Sequence, residues 1–364
     1  MSRVTAFISH LSKGGAQRVF VNVINYLHRS GMDVKVVVQT LDDAIYKEEI
    51  DKEIQIIDLK AASAKASLPK LKKYLQNNDL DCAIAFSPEL AVNLWLVRIL
   101  LRKKFVIVGR CINTLSYEHK YADSFFRKHV THNLVKWFYH RIDYVIAQST
   151  GMAEDLVNNF GFKNNQVAVI NNAVAPVFEF EMNETSDDSI RENAILYVGR
   201  LEQQKGLQML LNAFARMTNK SVKLYIVGSG SQKEELQKLS LDLKINDRVS
   251  FIDHTKKIIE YYKKVKITAL SSYFEGFPNV LIESIACGTP VVAFDLPSGP
   301  KEIIKSDENG FLVKYLDVEE LSEKLDLALE KSWDSSLVKK TVERYCAKFI
   351  MDKYKKLIEQ ALKK

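Results

Sequence analysis

The 364-residue sequence predicts two doubly wound α/β domains, on three observations. Short β-branched runs alternate with longer amphipathic stretches. The alternation halts once, at a polar acidic segment, and then restarts. The length suits two domains better than one. Strands alternating with helices of these lengths form parallel sheets covered on both faces.

Val4–Ile8 is too short for the apolar region of a signal peptide and reads as an opening strand, followed by a helix over Ala16–Ser30. The valine-rich Asp33–Gln39 is the next strand, and Cys82–Phe86, Phe105–Val108 and Tyr144–Ala147 repeat the signature. Helices fit at Ser67–Gln76, Leu90–Leu101 and Ser124–Tyr139. Residues 179–193, with Asn183, Glu184, Thr185, Ser186, Asp187 and Asp188, read as a linker between a domain at 1–178 and another at 194–345. The second domain has strands at Ala194–Val198, Lys223–Val227, Val249–Ile252, Ile267–Leu270 and Pro290–Ala293. Its helices fall at Gly206–Met217, Gln232–Leu241, Ile258–Lys264 and Pro278–Ala286. The basic stretch Val338–Lys364 reads as a closing helix, with 346–364 able to pack back on the first domain.

Composition narrows the partners. Apolar residues at 47% and charged residues at 27% exclude a disordered chain. A net charge of +7 favours anionic partners, namely nucleotides, nucleic acid or acidic lipid surfaces. The charge is dispersed and no aromatic-basic module appears, which argues against nucleic acid. Cys82, Cys111, Cys287 and Cys346 form no CxxC pair, arguing against zinc and disulfides and for a reducing compartment. No run approaches ~20 apolar residues, so a cytoplasmic protein without a membrane span is expected. His129 and His132 offer a metal no third ligand. Asp79 and Asp81 have Asp-x-Asp spacing but precede a strand, at its wrong end, so no metal is expected.

In open parallel sheets ligands lie beyond the carboxyl ends of the strands, and two facing sheets would enclose one in a cleft. The main chemical motifs fall at such ends. In Glu275-Gly276-Phe277-Pro278-Asn279-Val280-Leu281-Ile282-Glu283, Pro278 suits a first helical turn. The amides of Asn279, Val280 and Leu281 would then face an anion such as a diphosphate. Glu275 would sit beside a sugar, and Glu283 could accept ribose hydroxyls; the alternative is a loop charge and a solvated helix residue. Arg200 and Lys205, in the turn 199–206, form a pair suited to phosphate oxygens. Fixed cations there would stabilise a diphosphate leaving group. The alternative is a surface pair between Arg200 and Glu202. Gly14 and Gly15, opening a helix, allow close backbone approach to a phosphate, although a tight turn alone explains them equally. The full dinucleotide and ATP-loop fingerprints are absent.

These motifs, with Ala147-Gln148-Ser149, Val169-Ile170-Asn171-Asn172, Tyr197-Val198-Gly199-Arg200, Ile226-Val227-Gly228-Ser229-Gly230, Cys287-Gly288-Thr289-Pro290 and Asn309-Gly310, occur in an order that resembles the retaining glycosyltransferases of family 4. The resemblance implies the GT-B fold, two Rossmann-like domains facing a central cleft. It implies that Arg200, Lys205 and the Gly15 amide hold the donor diphosphate, that Glu283 binds ribose, and that backbone near Ile252 faces the base. Glu275 would contact the donor sugar, and Gly14, Phe277, Asn279, Val280 and Leu281 would complete the donor site. Transfer would retain anomeric configuration by front-face attack, without a metal and with no cofactor beyond the UDP-sugar substrate. The run Ser298-Gly299-Pro300-Lys301-Glu302 is similar to that of relatives using UDP-hexoses. Many relatives carry a histidine after the strand that here is Phe105–Val108; this chain has Gly109-Arg110-Cys111-Ile112-Asn113. Arg110 and Asn113 are therefore assigned to a sugar or acceptor pocket, the alternative being an Arg110 ion pair.

The first domain would receive a glycan or polyprenyl-diphosphate-linked acceptor. Lys65, Lys70, Lys72, Lys73, Arg98, Arg102, Lys103 and Lys104 near Leu68, Leu71, Trp95, Leu96 and Leu100 suit an anionic membrane surface on the inner face of the cell membrane. Two amphipathic helices packed on a sheet are the plainer explanation. The leading expectation is a hexosyl- or N-acetylhexosaminyltransferase of glycan assembly. A sugar-nucleotide epimerase or phosphorylase, and a nucleotide-sugar-binding regulator with a degenerate site, are the alternatives.

Overall fold

A computed structural model describes residues 2–12, 14–61, 64–120, 132–184 and 191–363. The chain divides into two compact units, Met1–Asn172 with Lys348–Lys364, and Ala173–Ala347.

The first unit holds a seven-stranded parallel sheet: β1 (Arg3–Ile8), β2 (Asp33–Val38), β3 (Gln55–Asp58), β4 (Cys82–Ala85), β5 (Val106–Arg110), β6 (Tyr144–Ala147) and β7 (Val167–Val169). Its order is β3-β2-β1-β4-β5-β6-β7, so the winding direction reverses between β1 and β4. The central strands are buried on both faces, as their unbroken Val, Ile and Ala runs require. The helix Pro88–Leu101, capped by the Ser87 hydroxyl, covers one face with Leu90, Leu94 and Val97.

The second unit repeats the plan with β8 (Glu192–Val198), β9 (Lys223–Val227), β10 (Val249–Ile252), β11 (Val265–Leu270), β12 (Val291–Phe294) and β13 (Gly310–Val313). The order β10-β9-β8-β11-β12-β13 places the reversal between β8 and β11. Leu210, Leu211 and Phe214 of the helix Leu207–Arg216 join Leu321 and Leu325 of the helix Val318–Glu330 in one core.

Several sequence expectations are corrected. β3, β7 and β13 are short strands at the sheet edges, and their runs carry too little pattern to stand out. The expected linker 179–193 begins inside a helix, Pro176–Asn183, and ends inside β8; its residues 185–190 lie outside the described residues. The unit boundary falls earlier, at Asn172, because Phe178 packs edge-on against Tyr262 of the second unit. The helix expected over Val338–Lys364 is three pieces, Ser335–Lys340, a single turn at Glu343–Tyr345, and Ala347–Leu362. The last belongs to the first unit, where Tyr26 donates to Asp352. Of the expected helix Ser124–Tyr139, His132–Phe138 is helical, while residues 124–131, His129 included, lie outside the described residues.

The expected membrane strip is also redistributed. Leu71 is core, Trp95 stacks on Phe138, Arg98 pairs with Asp143 and Lys103 pairs with Asp79. Asp81 in turn is held by Arg3, so the Asp-x-Asp spacing is spent on ion pairs. No helix among the described residues is long and apolar enough to cross a membrane.

Candidate functional site

The reversal between β8 and β11 sets the strand ends apart and opens a crevice in any sheet of this kind. Two segments border it, Gly199–Gly206 after β8 and Ser271–Pro278 after β11. The first is tied down at its start, where the Gly199 amide donates to the Val227 carbonyl at 3.0 Å and the buried Tyr197 hydroxyl donates to the Arg200 carbonyl at 3.1 Å. It ends at Gly206 with φ +57°. Only glycine fits, since a Cβ there would stand 2.3 Å from the Ser271 carbonyl. That close approach locks the two segments together.

Lys205 and Glu275 meet at this junction. The Lys205 Nζ lies 2.6 Å from Glu275 Oε1, and the Ser272 hydroxyl donates to the same oxygen at 2.6 Å. Glu275 is 7% exposed, so it is a buried carboxylate, and Lys205 and Ser272 both help to satisfy it. Its backbone is fixed as well, with the Ser298 hydroxyl donating to the Glu275 carbonyl at 2.5 Å. Gln204 joins both segments: its backbone carbonyl accepts the Tyr273 amide at 2.9 Å, and its side-chain amide donates to the Phe274 carbonyl at 2.9 Å. The exposed Arg200 reaches the same Gln204 side chain at 3.3 Å. The sequence alternative for Arg200, an ion pair with Glu202, is not what forms; Glu202 accepts from the backbone and hydroxyl of Ser231.

The next turn departs from expectation in detail. Pro278 caps the helix Asn279–Ala286 instead of opening it, and Asn279 is the first helical residue. The Leu281 amide donates to the Pro278 carbonyl at 3.1 Å, so it closes the turn rather than facing outward. Asn279 and Val280 are half-buried at the helix start. Phe277 is buried with its ring edge-on to Tyr345, 5.3 Å between centroids, and so anchors the loop. Glu283 is half-buried and accepts from the Tyr262 hydroxyl at 3.3 Å. Burial, with Glu283 alongside, holds that hydroxyl well above the usual tyrosine range. Ile252 ends β10, and its carbonyl accepts the Gly228 amide at 2.9 Å.

In the first unit, Gly14 precedes the helix Gly15–Arg29 at the carboxyl end of β1, with Gly15 exposed; Lys13 lies outside the described residues. Arg110 overturns its expectation. β5 extends two residues beyond Val108, because Gly109 and Arg110 pair in register with Val145 and Ile146 of β6. Arg110 is thereby a strand residue, completely buried, and presents no surface to a sugar. Among the described residues it makes no ion pair either: Nε donates to the Tyr354 hydroxyl at 3.0 Å, Nη2 to Asn172 Oδ1 at 2.7 Å, and the guanidinium lies 5.2 Å from the centre of the Phe86 ring. Asn113 is half-buried in the following loop, where its carbonyl accepts from the Cys111 thiol.

Sequence reading passed over Ser272, Ser298, Gln204 and Tyr273, which shape the junction, and His10 and Ser12 beyond β1, 2.5 Å apart. The signal available for Ser272 was its place three residues before Glu275 in a loop after an apolar strand.

Comparisons with known proteins agree with this architecture. A model described as Glycosyl transferases group 1 matches residues 180–345, and one described as Glycosyltransferase Family 4 matches residues 13–177. An uncharacterized glycosyltransferase of Haemophilus influenzae is 30% identical over 339 residues, covering 90% of this chain and 91% of that protein. The N-acetylgalactosamine-N,N'-diacetylbacillosaminyl-diphospho-undecaprenol 4-alpha-N-acetylgalactosaminyltransferase of Campylobacter jejuni is 29% identical over 320 residues, 86% of each chain. The crystal structure of Anabaena HepE in complex with UDP superposes with a TM-score of 0.79 at 19% identity, covering 98% of this chain and 100% of that one.

Proposed function

The chain belongs to the family 4 glycosyltransferases of the GT-B fold, and on that premise we propose that it is a retaining transferase moving a hexose or N-acetylhexosamine from a UDP-sugar. The acceptor in this reading is a glycan or polyprenyl-diphosphate-linked sugar in cell-surface polysaccharide or glycan assembly, reached from the cytoplasmic side. The observation that carries it is the buried Lys205–Glu275 pair beside Arg200 at the β8/β11 reversal. The Campylobacter relative, named for a diphospho-undecaprenol acceptor, and UDP bound to HepE support the substrate classes.

Arg200 and Lys205 bind the donor diphosphate. As the sugar–phosphate bond breaks, negative charge collects on the departing UDP, and fixed cations stabilise that charge more than the ground state. Glu275 lies on the sugar side. Its carboxylate favours positive charge developing at the anomeric carbon, while Lys205 and Ser272 keep it in place. The acceptor hydroxyl attacks from the face the UDP is leaving, its proton passes to the departing phosphate oxygen, and configuration is retained. No metal is used in this scheme. Glu283, oriented by Tyr262, accepts the ribose hydroxyls.

A panel of nucleotide sugars tests this. At 100 times Kd a UDP-sugar stabilises the fold by about 2.7 kcal/mol, visible as a raised Tm, with slow release of UDP in the absence of acceptor. Absence of both responses to every UDP-sugar would refute the donor; Tm shifts without any transfer or hydrolysis would favour a binding regulator.

A further inference from the structure

We propose that Tyr315, in the turn after β13, is a positioning residue for Glu275 and braces the Glu275 loop from a third strand. The Tyr315 hydroxyl donates to the Tyr273 carbonyl at 2.8 Å. Tyr273 stands in that loop between Ser272, whose hydroxyl holds the Glu275 carboxylate, and Phe274, whose carbonyl takes the Gln204 side chain. Its other polar groups are held as well. The Tyr273 amide donates to the Gln204 carbonyl at 2.9 Å, and its hydroxyl accepts from the Gln208 side chain at 2.8 Å. Gln204 adjoins Lys205, and Gln208 lies in the helix that follows, Leu207–Arg216, so both belong to the Lys205 side of the junction. Tyr315 comes from beyond β13, on the far side of β11 and β12. The Glu275 loop is thus fixed from two directions, and its place is not set by the Lys205 turn alone.

The turn is strained in a way that serves this reach. Lys314, Tyr315, Leu316 and Asp317 form a four-residue turn, closed by the Asp317 amide donating to the Lys314 carbonyl at 3.0 Å. Leu316, its third residue, has φ +64°, in the left-handed region where such a turn favours glycine or asparagine. Among the described residues it is the one apolar side chain at a positive φ. It is also 37% exposed, so burial does not account for its presence there. Both ends of the turn are pinned. Asp317 caps the helix Val318–Glu330 by accepting the Glu320 amide at 3.0 Å, and the Glu320 carboxylate accepts the Lys314 amide at 2.9 Å. Between them the Tyr315 ring packs against the core of the second unit while its hydroxyl reaches Tyr273. Backbone strain persists where the surroundings over-determine it, and it clusters at functional sites. Here the strained turn delivers one hydroxyl to the loop that carries Glu275. A carboxylate that must face a reacting carbon gains from such a brace, because a small misplacement costs rate out of proportion to the distance moved.

The effect of Tyr315 on turnover rests on the transferase reading above; the brace itself does not, so it is tested first without substrate. Tyr315→Phe keeps the packed ring and removes the hydroxyl, and Tm should fall by no more than about 4 °C. Hydrogen–deuterium exchange of the full chain should speed up about fivefold over residues 271–278, the worth of one ordinary hydrogen bond, while the rest of the unit keeps its wild-type rates. Unchanged exchange there overturns the brace whether or not the donor assignment holds. In steady-state assays with the preferred UDP-sugar, Tyr315→Phe should lower kcat about fivefold with the donor KM held. Tyr315 and Ser272 both act by orienting Glu275, so Tyr315→Phe with Ser272→Ala should lose little more than the roughly tenfold of Ser272→Ala alone, and not the product of about fiftyfold. Wild-type kcat in Tyr315→Phe, a multiplied loss in the double variant, or a rise in KM together with the fall in kcat overturns the positioning role. Faster exchange in Tyr315→Phe beside a wild-type chain that releases UDP from no UDP-sugar supports the brace and refutes the donor reading, so the two failures are told apart.

Discussion

Two basic residues are withdrawn from water at the carboxyl ends of parallel strands, and the company each keeps separates chemistry from architecture. Lys205, in the turn after β8, faces a carboxylate, Glu275, in a junction that also holds the exposed Arg200. Arg110, the last residue of β5, faces a phenol, an amide and an aromatic ring, with no carboxylate paired to it among the described residues. Among the described residues its Nη1 has no hydrogen-bond partner. A lysine–glutamate pair beside a crevice can exchange partners when an anion arrives. An arginine held by a phenol, an amide and an aromatic ring has no such anionic partner to release among these contacts. What it does is bind Tyr354 of the C-terminal helix and Asn172, the last residue of its unit before the chain crosses, to the same strand. The comparison teaches that strand-end position alone does not identify a ligand residue; exposure and an exchangeable partner are what make Lys205 the better candidate.

Arg110→Ala breaks the comparison hardest. It should destabilise the first unit by about 3–5 kcal/mol, because a large buried side chain is lost and Tyr354 and Asn172 are left without their donor. Arg110→Met also removes the donor from Tyr354 and Asn172 but keeps most of the volume and buries no charge, so it should cost less than Arg110→Ala. Urea unfolding of both variants measures this. If Arg110→Ala unfolds like wild type while transfer is lost, Arg110 is a ligand residue after all and the contrast with Lys205 collapses.

Lys205→Met should show the opposite profile. Loss of one fixed charge at the leaving group lowers kcat by about 10²–10³, or ~3–4 kcal/mol, in steady-state assays with the preferred UDP-sugar. The stability loss should be smaller than for Arg110→Ala, since Glu275 retains the Ser272 hydroxyl. Wild-type turnover in Lys205→Met would remove the cation from the mechanism.

The difference between these two residues also marks how far sequence could be read. The alternation of Val- and Ile-rich runs with amphipathic stretches made both sheets and their parallel sense legible, because strands buried on both faces must be apolar throughout. Edge strands such as Gln55–Asp58 escaped, having half the burial and half the pattern. Lys205 and Glu275 stood out in the sequence as candidates, but not as a pair: seventy positions separate them, and their meeting depends on the β8–β11 adjacency and on Gly206 abutting Ser271. Arg110 misled for a related reason. Its strand continues because β6 supplies backbone partners for two further residues, a fact about a neighbour and not about the local run. Phe277 and Leu281 were assigned to the donor by motif; what the motif did not carry is that Phe277 packs against Tyr345 and that the Leu281 amide closes a helical turn.

The finest test concerns the serines that no pattern singled out. Ser272 and Lys205 donate to the same oxygen of Glu275, so Ser272 holds the carboxylate's orientation while Lys205 supplies its charge. Ser298 holds the backbone of the same residue. Ser272→Ala removes one charge-assisted hydrogen bond of about 1.5–3 kcal/mol, and a Glu275 free to rotate spends less time in the productive position. The expected result is a fall in kcat of about tenfold with the KM for the donor held, because the diphosphate contacts proposed for Arg200 and Lys205 are untouched. A residue that merely supported the loop would lower Tm and raise KM together, and that outcome would return Ser272 to packing. Ser298→Ala is the internal control: its loss displaces Glu275 as a whole, so KM and kcat should move together while the Glu275–Ser272 contact persists.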